Sequence, residues 1–125
     1  MRNKYGNRKV EIDGHVFDSK KEAKYYMYLR ELEKAGEVSD LRLQVPYELI
    51  PPIYEDVTVQ LKTKTKTVRK CVQKAVHYLA DFVYTDVSGN DVVVDVKSTI
   101  TRKNEVYRLK KKMMKAFCGI DIQEI

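Results

Sequence analysis

The chain reads as one small mixed α/β domain, and three observations predict it. Its 125 residues are the size of a single domain, large enough to bury a core without disulfides or metals. Strand-like and helical hydrophobic patterns alternate along it, ending in a helix and a last strand. No repeat and no Gly/Ser-rich linker interrupts residues 1–125, so they form one unit.

The elements follow in order. "KVEIDGHVFDS" alternates Val10 and Ile12 with polar neighbours around Asp13-Gly14, a hairpin signal. Ser19 to Gly36 reads as a helix that the glycine stops, with Glu22, Tyr25, Leu29 and Leu32 on one stripe. Val38 to Ile50 alternates as a half-buried strand, and Pro46 confines part of it to a sheet edge or a bulge. Pro51-Pro52 ends it.

"QLKTKTKTVRKCVQ" is polar on both faces of any strand and is expected as a mobile loop or a projecting edge hairpin, about 55–76, guarded by lysines. Two apolar strands follow in "HYLADFVYTDVSGNDVVVDVKS". "TRKNEVYRLKKKMMKAFCG" then places Val106, Leu109, Met113 and Phe117 on one stripe of an amphipathic helix ending at Gly119. "IDIQEI" closes the chain as a strand.

Composition narrows the function classes. No apolar run approaches the roughly 18 residues of a membrane span, and "MRNKYGNRKV" lacks the apolar core of a secretory signal, so a cytoplasmic protein with no membrane partner is expected. Cys71 and Cys118 stand far apart with no Cys/His cluster, which argues for free thiols and against zinc. Twenty-four Lys and Arg against 18 Asp and Glu leave a net charge of +6, and the excess is clustered. Lys62, Lys64, Lys66, Arg69, Lys70 and Lys74 lie in one stretch without an acid; seven more basic residues lie between Arg102 and Lys115 against Glu105 alone. Such clusters suit a polyphosphate partner, although solvated faces would look alike.

The two central strands each carry an aspartate where a sheet should want valine. An ionised carboxylate buried without a partner costs several kcal/mol. Alternation groups His77, Leu79, Asp81 and Val83 on one face of their strand and Asp91, Val93, Asp95 and Lys97 on one face of the next, and the turn decides whether the two faces coincide. A two-residue turn at Ser88-Gly89 would send the aspartates to opposite faces. A three-residue loop, Val87-Ser88-Gly89 with a left-handed Gly89, would set Asp81 opposite Asp95 with Lys97 one step along. Gly89 favours the second. Two adjacent carboxylates repel unless they share a proton or a cation, so the pairing predicts a site for a hard ion such as Mg2+. A neighbouring lysine would orient a metal-activated water and stabilise charge developing on phosphorus.

Glu22 has two readings: with Ser19 it forms a capping box, and at the end of the apolar stripe it faces the site. Acid-x-Lys also occurs at Asp18-Ser-Lys20 and Glu22-Ala-Lys24; only Asp95-Val-Lys97 lies in an apolar strand after another strand that bears an acid.

Glu22 on a first helix, Asp81 in "YLADFVY" and Asp95-Val96-Lys97 on the next strand resemble the PD-(D/E)XK nuclease superfamily. Its restriction-endonuclease-like core is a mixed sheet flanked by helices, and it includes restriction enzymes and Holliday junction resolvases. "KYGNRKVEIDGHVFDSKKEAKYY", "LQVPYEL", "ADFVY" and "DVKS" look like small phage- and prophage-encoded proteins of that superfamily, over nearly the whole chain.

The resemblance implies a Mg2+- or Mn2+-dependent endodeoxyribonuclease in a bacterial host cell, acting in phage DNA recombination, replication or packaging. Asp81, Asp95 and the Val96 carbonyl would bind the metal, Lys97 would assist the attacking water, and Glu22 would match the superfamily's helical acid. Lys110 or Lys111 on the last helix would meet the scissile phosphate, with Lys110 nearer the apolar stripe. Lys62, Lys64, Lys66, Arg69 and Lys70 would clamp the duplex backbone. Ala80 stands where the motif has proline, and Asp95 where glutamate is commoner. Gln44 matches the narrow pattern without an assigned role. With no separate recognition domain, phosphate and shape readout favour branched or structured DNA, and a homodimer would suit a two-strand cut. The competing readings are a DNA-binding accessory protein that uses its acids structurally, and a domain with a regulatory metal site and no DNA partner.

Overall fold

In a computed structural model, which describes residues 9–125, eight strands and three helices run in the order β1 (Val10–Ile12), β2 (His15–Phe17), α1 (Lys20–Lys34), β3 (Val38–Ile50), β4 (Ile53–Gln60), β5 (Thr65–Gln73), β6 (Val76–Asp86), β7 (Asp91–Asp95), α2 (Thr99–Arg102), α3 (Glu105–Cys118) and β8 (Gln123–Glu124). The central sheet has the order β3-β6-β7-β8, antiparallel except for the parallel pair β7-β8. The fold is therefore mixed α/β. Among the described residues no helix is long and apolar enough to cross a membrane, and Cys71 and Cys118 are exposed free thiols.

The sheet separates two cores. On one face Ala23, Tyr26 and Leu29 of α1 meet Phe17, Phe82 and Val94. On the other, Tyr107 and Met114 of α3 meet Leu49, Tyr78, Ala80, Val83 and Val93. Ser19 caps α1, its hydroxyl accepting from Glu22 N at 3.1 Å. Pro46 is tolerated because β3 is the sheet edge.

The β6–β7 loop decides the site. Thr85 pairs with Asp91 and Phe82 with Val94, so Val87-Ser88-Gly89 is a three-residue loop. Asp86 N donates to Asn90 O at 2.8 Å, and Gly89 takes φ +86°, the left-handed conformation that a side chain would disfavour. Asp86 Oδ1 also accepts from Ser88 N and Asn90 N, both at 2.9 Å, which fixes the loop from within. Carried one residue further, this register sets Asp81 opposite Asp95.

Two expectations need correction. The last helix starts at Glu105 behind an Asn104 cap, after the separate short α2, and its buried face is Tyr107 and Met114. Val106, Leu109 and Phe117 are 62%, 58% and 63% exposed, so most of the apolar stripe points outward, while Met113, its fourth member, packs against the core. The helix is rotated by one residue, about 100°, because Tyr107 and Lys111 are both held by the Glu124 carboxylate on β8. The basic segment is a projecting hairpin, β4–β5, but its faces are unequal. Pairing Val57 with Val68 and Val59 with Lys66 gathers Val57, Val59 and Val68 on one side, which the isolated "QLKTKTKTVRKCVQ" conceals.

Candidate functional site

Asp81, Asp95 and Lys97 converge at the end of β7. Asp95 is fully buried and Asp81 nearly so. Lys97 Nζ lies 3.4 Å from Asp95 Oδ1 and 3.8 Å from Asp81 Oδ2, so one ammonium serves both carboxylates. Asp81 Oδ2 accepts from Val96 N at 3.0 Å, which ties β6 to the chain just beyond β7. The Tyr78 hydroxyl donates to Asp95 Oδ2, and Asp81 N approaches Asp95 Oδ1 at 3.4 Å. Lys97 Nζ also sits over the Tyr107 ring, 5.6 Å from its centroid, a cation–π contact that aims the ammonium.

Asp81 marks a turnover in β6. Tyr78, Ala80 and Val83 belong to one core and Phe82 to the other, although residues 80 and 83 of an unbroken strand point to opposite faces. Opposite Asp81, Gln44 adopts φ +52°, rare for a residue with a side chain and costing on the order of 1–3 kcal/mol. The pairs Leu43–Phe82 and Val45–Ala80 flank this point with equal offset, so no residue is inserted. The twist lets Asp81 face its β7 partner while remaining within reach of α1.

That reach is bridged by Gln44. Its Nε2 donates to Glu22 Oε1 and Asp81 Oδ1, both at a long 3.4 Å. Ser19 caps the helix through its own hydroxyl, and Glu22, buried, turns its carboxylate to Gln44, so cap and site do not compete. Lys21, which the motif reading passed over, places Nζ 3.3 Å from the Lys97 carbonyl. Its signal was helical: one residue before Glu22, it shares the first turn that faces the site.

The electrostatics follow from crowding. Burial, first, and then the hydrogen bond and charge of Asp81 push Asp95 up to about 7, against the opposing pull of Tyr78 and Lys97. Burial, then Asp81 and Asp18, push Glu22 up to about 7. Burial and the hydrogen bond to Asp95 raise the Tyr78 phenol well above its ordinary value, so it stays a donor. Near neutrality the site thus holds protons that a divalent cation would displace.

The donor set is all oxygen, as Mg2+ or Mn2+ requires, and Mg2+ is bound through one or two carboxylates with waters and phosphate oxygens completing its shell. Asp81 and Asp95 satisfy that minimum. Among the described residues no three His, Cys, Asp or Glu side chains gather as a ready-made cage; Glu22 joins the pair through Gln44.

The basic residues do not share one surface. Lys62 and Lys64 flank the tip of the β4–β5 hairpin, Lys66 and Lys70 lie on its valine face, and Arg69 lies on the other, stacked 4.6 Å over the Tyr54 ring. Lys110 is half-buried with no ion pair among the described residues, while Lys111 is bound to Glu124, the residue paired with Asp95 across β7–β8.

Fold and site together define a mixed α/β domain with a buried aspartate pair and a shared lysine at the end of the sheet. Residues 2–122 match the family described as "Protein of unknown function (DUF1064)", and the chain belongs to that family. No curated protein and no solved structure matches it.

Proposed function

We propose that this protein is a metal-dependent endodeoxyribonuclease of the PD-(D/E)XK type, acting on branched or otherwise structured DNA. The observation that supports it most is the sharing of Lys97 by two buried aspartates, 3.4 and 3.8 Å from its ammonium. A purely structural role would be served by one carboxylate, or by none. Bound between Asp81, Asp95 and the Val96 carbonyl, Mg2+ or Mn2+ would supply a Lewis acid and a water of lowered pKa.

The chain's own residues do the rest. Asp81, and Asp95 once a bound cation has displaced its proton, would provide the negative charge, with Tyr78 and Val96 N holding their orientation. Lys97, aimed by the Tyr107 ring, presents a positive charge to the attacking water and to the phosphorane charge. Glu22, raised to about 7, is matched to accept or return a proton near neutral pH. The basic hairpin gives sequence-independent phosphate contacts, in keeping with recognition by DNA shape.

The test is a panel of linear, flap, fork and four-way-junction DNAs with Mg2+ or Mn2+, run with wild type, Asp95→Ala and Lys97→Ala. Wild type is expected to nick a branched substrate, and both variants to bind it without cutting. Absence of cutting across the panel, with DNA binding that ignores metal, would leave the accessory-protein reading instead.

A further inference from the structure

Beyond the aspartate site, Tyr107 also lines an open cavity with charged walls. Its volume is about 380 Å³, and it lies between α2, α3 and the C-terminal segment. Five basic side chains and two carboxylates line it, a net charge of +3. The carboxylates are committed: Glu124 is bound to Lys111 and Tyr107, and Asp121 to Lys115 at 2.7 Å. Glu124 is held below the ordinary carboxylate range chiefly by the Lys111 hydrogen bond, so it stays ionised and keeps that lysine.

Arg102, Arg108 and Lys112 remain, with no carboxylate partner among the described residues. Arg102 is also the one residue among those described with a buried side-chain polar atom, Nε, that lacks any acceptor. A buried donor left unmade costs roughly 1–3 kcal/mol. An anion in the cavity would meet the exposed Arg108 and Lys112 directly and the guanidinium of Arg102, whose own Nε is buried behind it. Ile120 and Ile122 supply an apolar wall, so the space accepts a phosphate together with part of what it is attached to.

We propose that this cavity binds a backbone phosphodiester of a nucleic-acid strand, one that is not the phosphate under attack. Arginine forks match two phosphate oxygens at once, which a carboxylate-lined or purely lysine-lined surface does not achieve. The Tyr107 ring is the wall shared with the aspartate site, since Lys97 Nζ stands over it while the same residue lines the cavity. A strand held here is thereby placed against Lys97, in register with the cutting position. The identity of the ligand as DNA backbone rests on the nuclease reading; the cavity's demand for an anion does not.

The inference is tested without metal, so that nothing depends on cleavage. Binding of a short single-stranded oligonucleotide, with and without a 5′-phosphate, is followed by fluorescence anisotropy over a salt series, with inorganic phosphate as competitor. The variants are Arg108→Gln/Lys112→Gln, Arg102→Met, and a Lys9→Gln/Lys34→Gln control of equal charge loss. Both oligonucleotides should bind wild type equally. The cavity double variant should weaken binding by about tenfold and reduce the log–log salt slope by about 0.7 for each phosphate no longer neutralised, with the control within about threefold of wild type. Arg102→Met should weaken binding while melting no lower than wild type. Equal affinity of cavity variants and wild type would overturn the inference, as would losses matched by the control. Binding that needs the 5′-phosphate, or full competition by inorganic phosphate at micromolar levels, would replace the phosphodiester with a terminal phosphate and overturn it too. A chain that binds through the cavity yet never cuts leaves this inference standing while the nuclease reading falls; a chain that cuts with unaltered affinity in the variants does the reverse.

Discussion

Asp95→Asn should make the metal-free protein more stable and catalytically dead. Moving this carboxyl from its ordinary 3.8 to about 7 corresponds to a ceiling of about 4 kcal/mol against the ionised form. Asparagine keeps an acceptor for the Tyr78 hydroxyl and offers its amide to Asp81, while the attraction of Lys97 for one of its two partners is lost. About half the ceiling should remain, ~2 kcal/mol, or about 8 °C in a domain of this size. The sign follows from proton counting. Between pH 4 and 7 the folded carboxyl holds a proton that the unfolded chain has released, so wild type loses stability as pH rises through that window. The gain from Asp95→Asn should therefore be small near pH 4 and full near pH 8. Thermal melts in EDTA at both pH values measure it, and the panel of branched DNAs measures activity. A variant that melts at or below wild type near pH 8 would refute the crowded-carboxylate account.

Further outcomes follow from the same geometry. Mn2+ affinity should rise from pH 6 to pH 8 as Glu22 and Asp95, both raised to about 7, give up their protons, and calorimetry in buffers of different ionisation enthalpy should register proton release near pH 7. Leu109→Gln should change stability by less than about 0.5 kcal/mol, whereas Met114→Ala should cost about 2–5 kcal/mol, as denaturant titration of each will read. Gly89→Val, at φ +86°, should cost about 1 kcal/mol or more, and deleting Ser88 should abolish cleavage by sending Asp95 to the opposite face, an effect that metal-binding titration would show directly. Replacing Lys62, Lys64, Lys66 and Lys70 with glutamine should weaken duplex binding irrespective of sequence and flatten the salt slope by about 0.9 for each phosphate the hairpin neutralises; an unchanged slope would remove the hairpin from the interface.

Much of this architecture is legible in the sequence. A capping serine, a glycine stop and apolar–polar alternation over Leu41 to Leu49 give α1 and β3 their places, because capping and pleating act over a few residues. The odd length of Val87-Ser88-Gly89 carries the pairing of Asp81 with Asp95, since a register offset is arithmetic once the loop conformation is known. The charge clusters and the acid-x-Lys motif stand in the open as well.

What tertiary structure alone decided are relations between residues distant in the chain. Two apolar stripes compete on α3, and periodicity could not choose; Glu124, arriving on β8, holds Tyr107 and Lys111 and turns Val106, Leu109 and Phe117 outward. Gln44 looks like one polar residue in an edge strand until its left-handed backbone places its amide between Glu22 and Asp81. Arg102, Arg108 and Lys112 read as a solvated helix face, and become part of a cavity wall because the C-terminal segment packs alongside and takes the neighbouring lysines into ion pairs. Local sequence fixes dihedrals and periodicity, whose energies are short-ranged; which face is buried, and which charges are left unpaired, depends on the partners that packing brings from elsewhere.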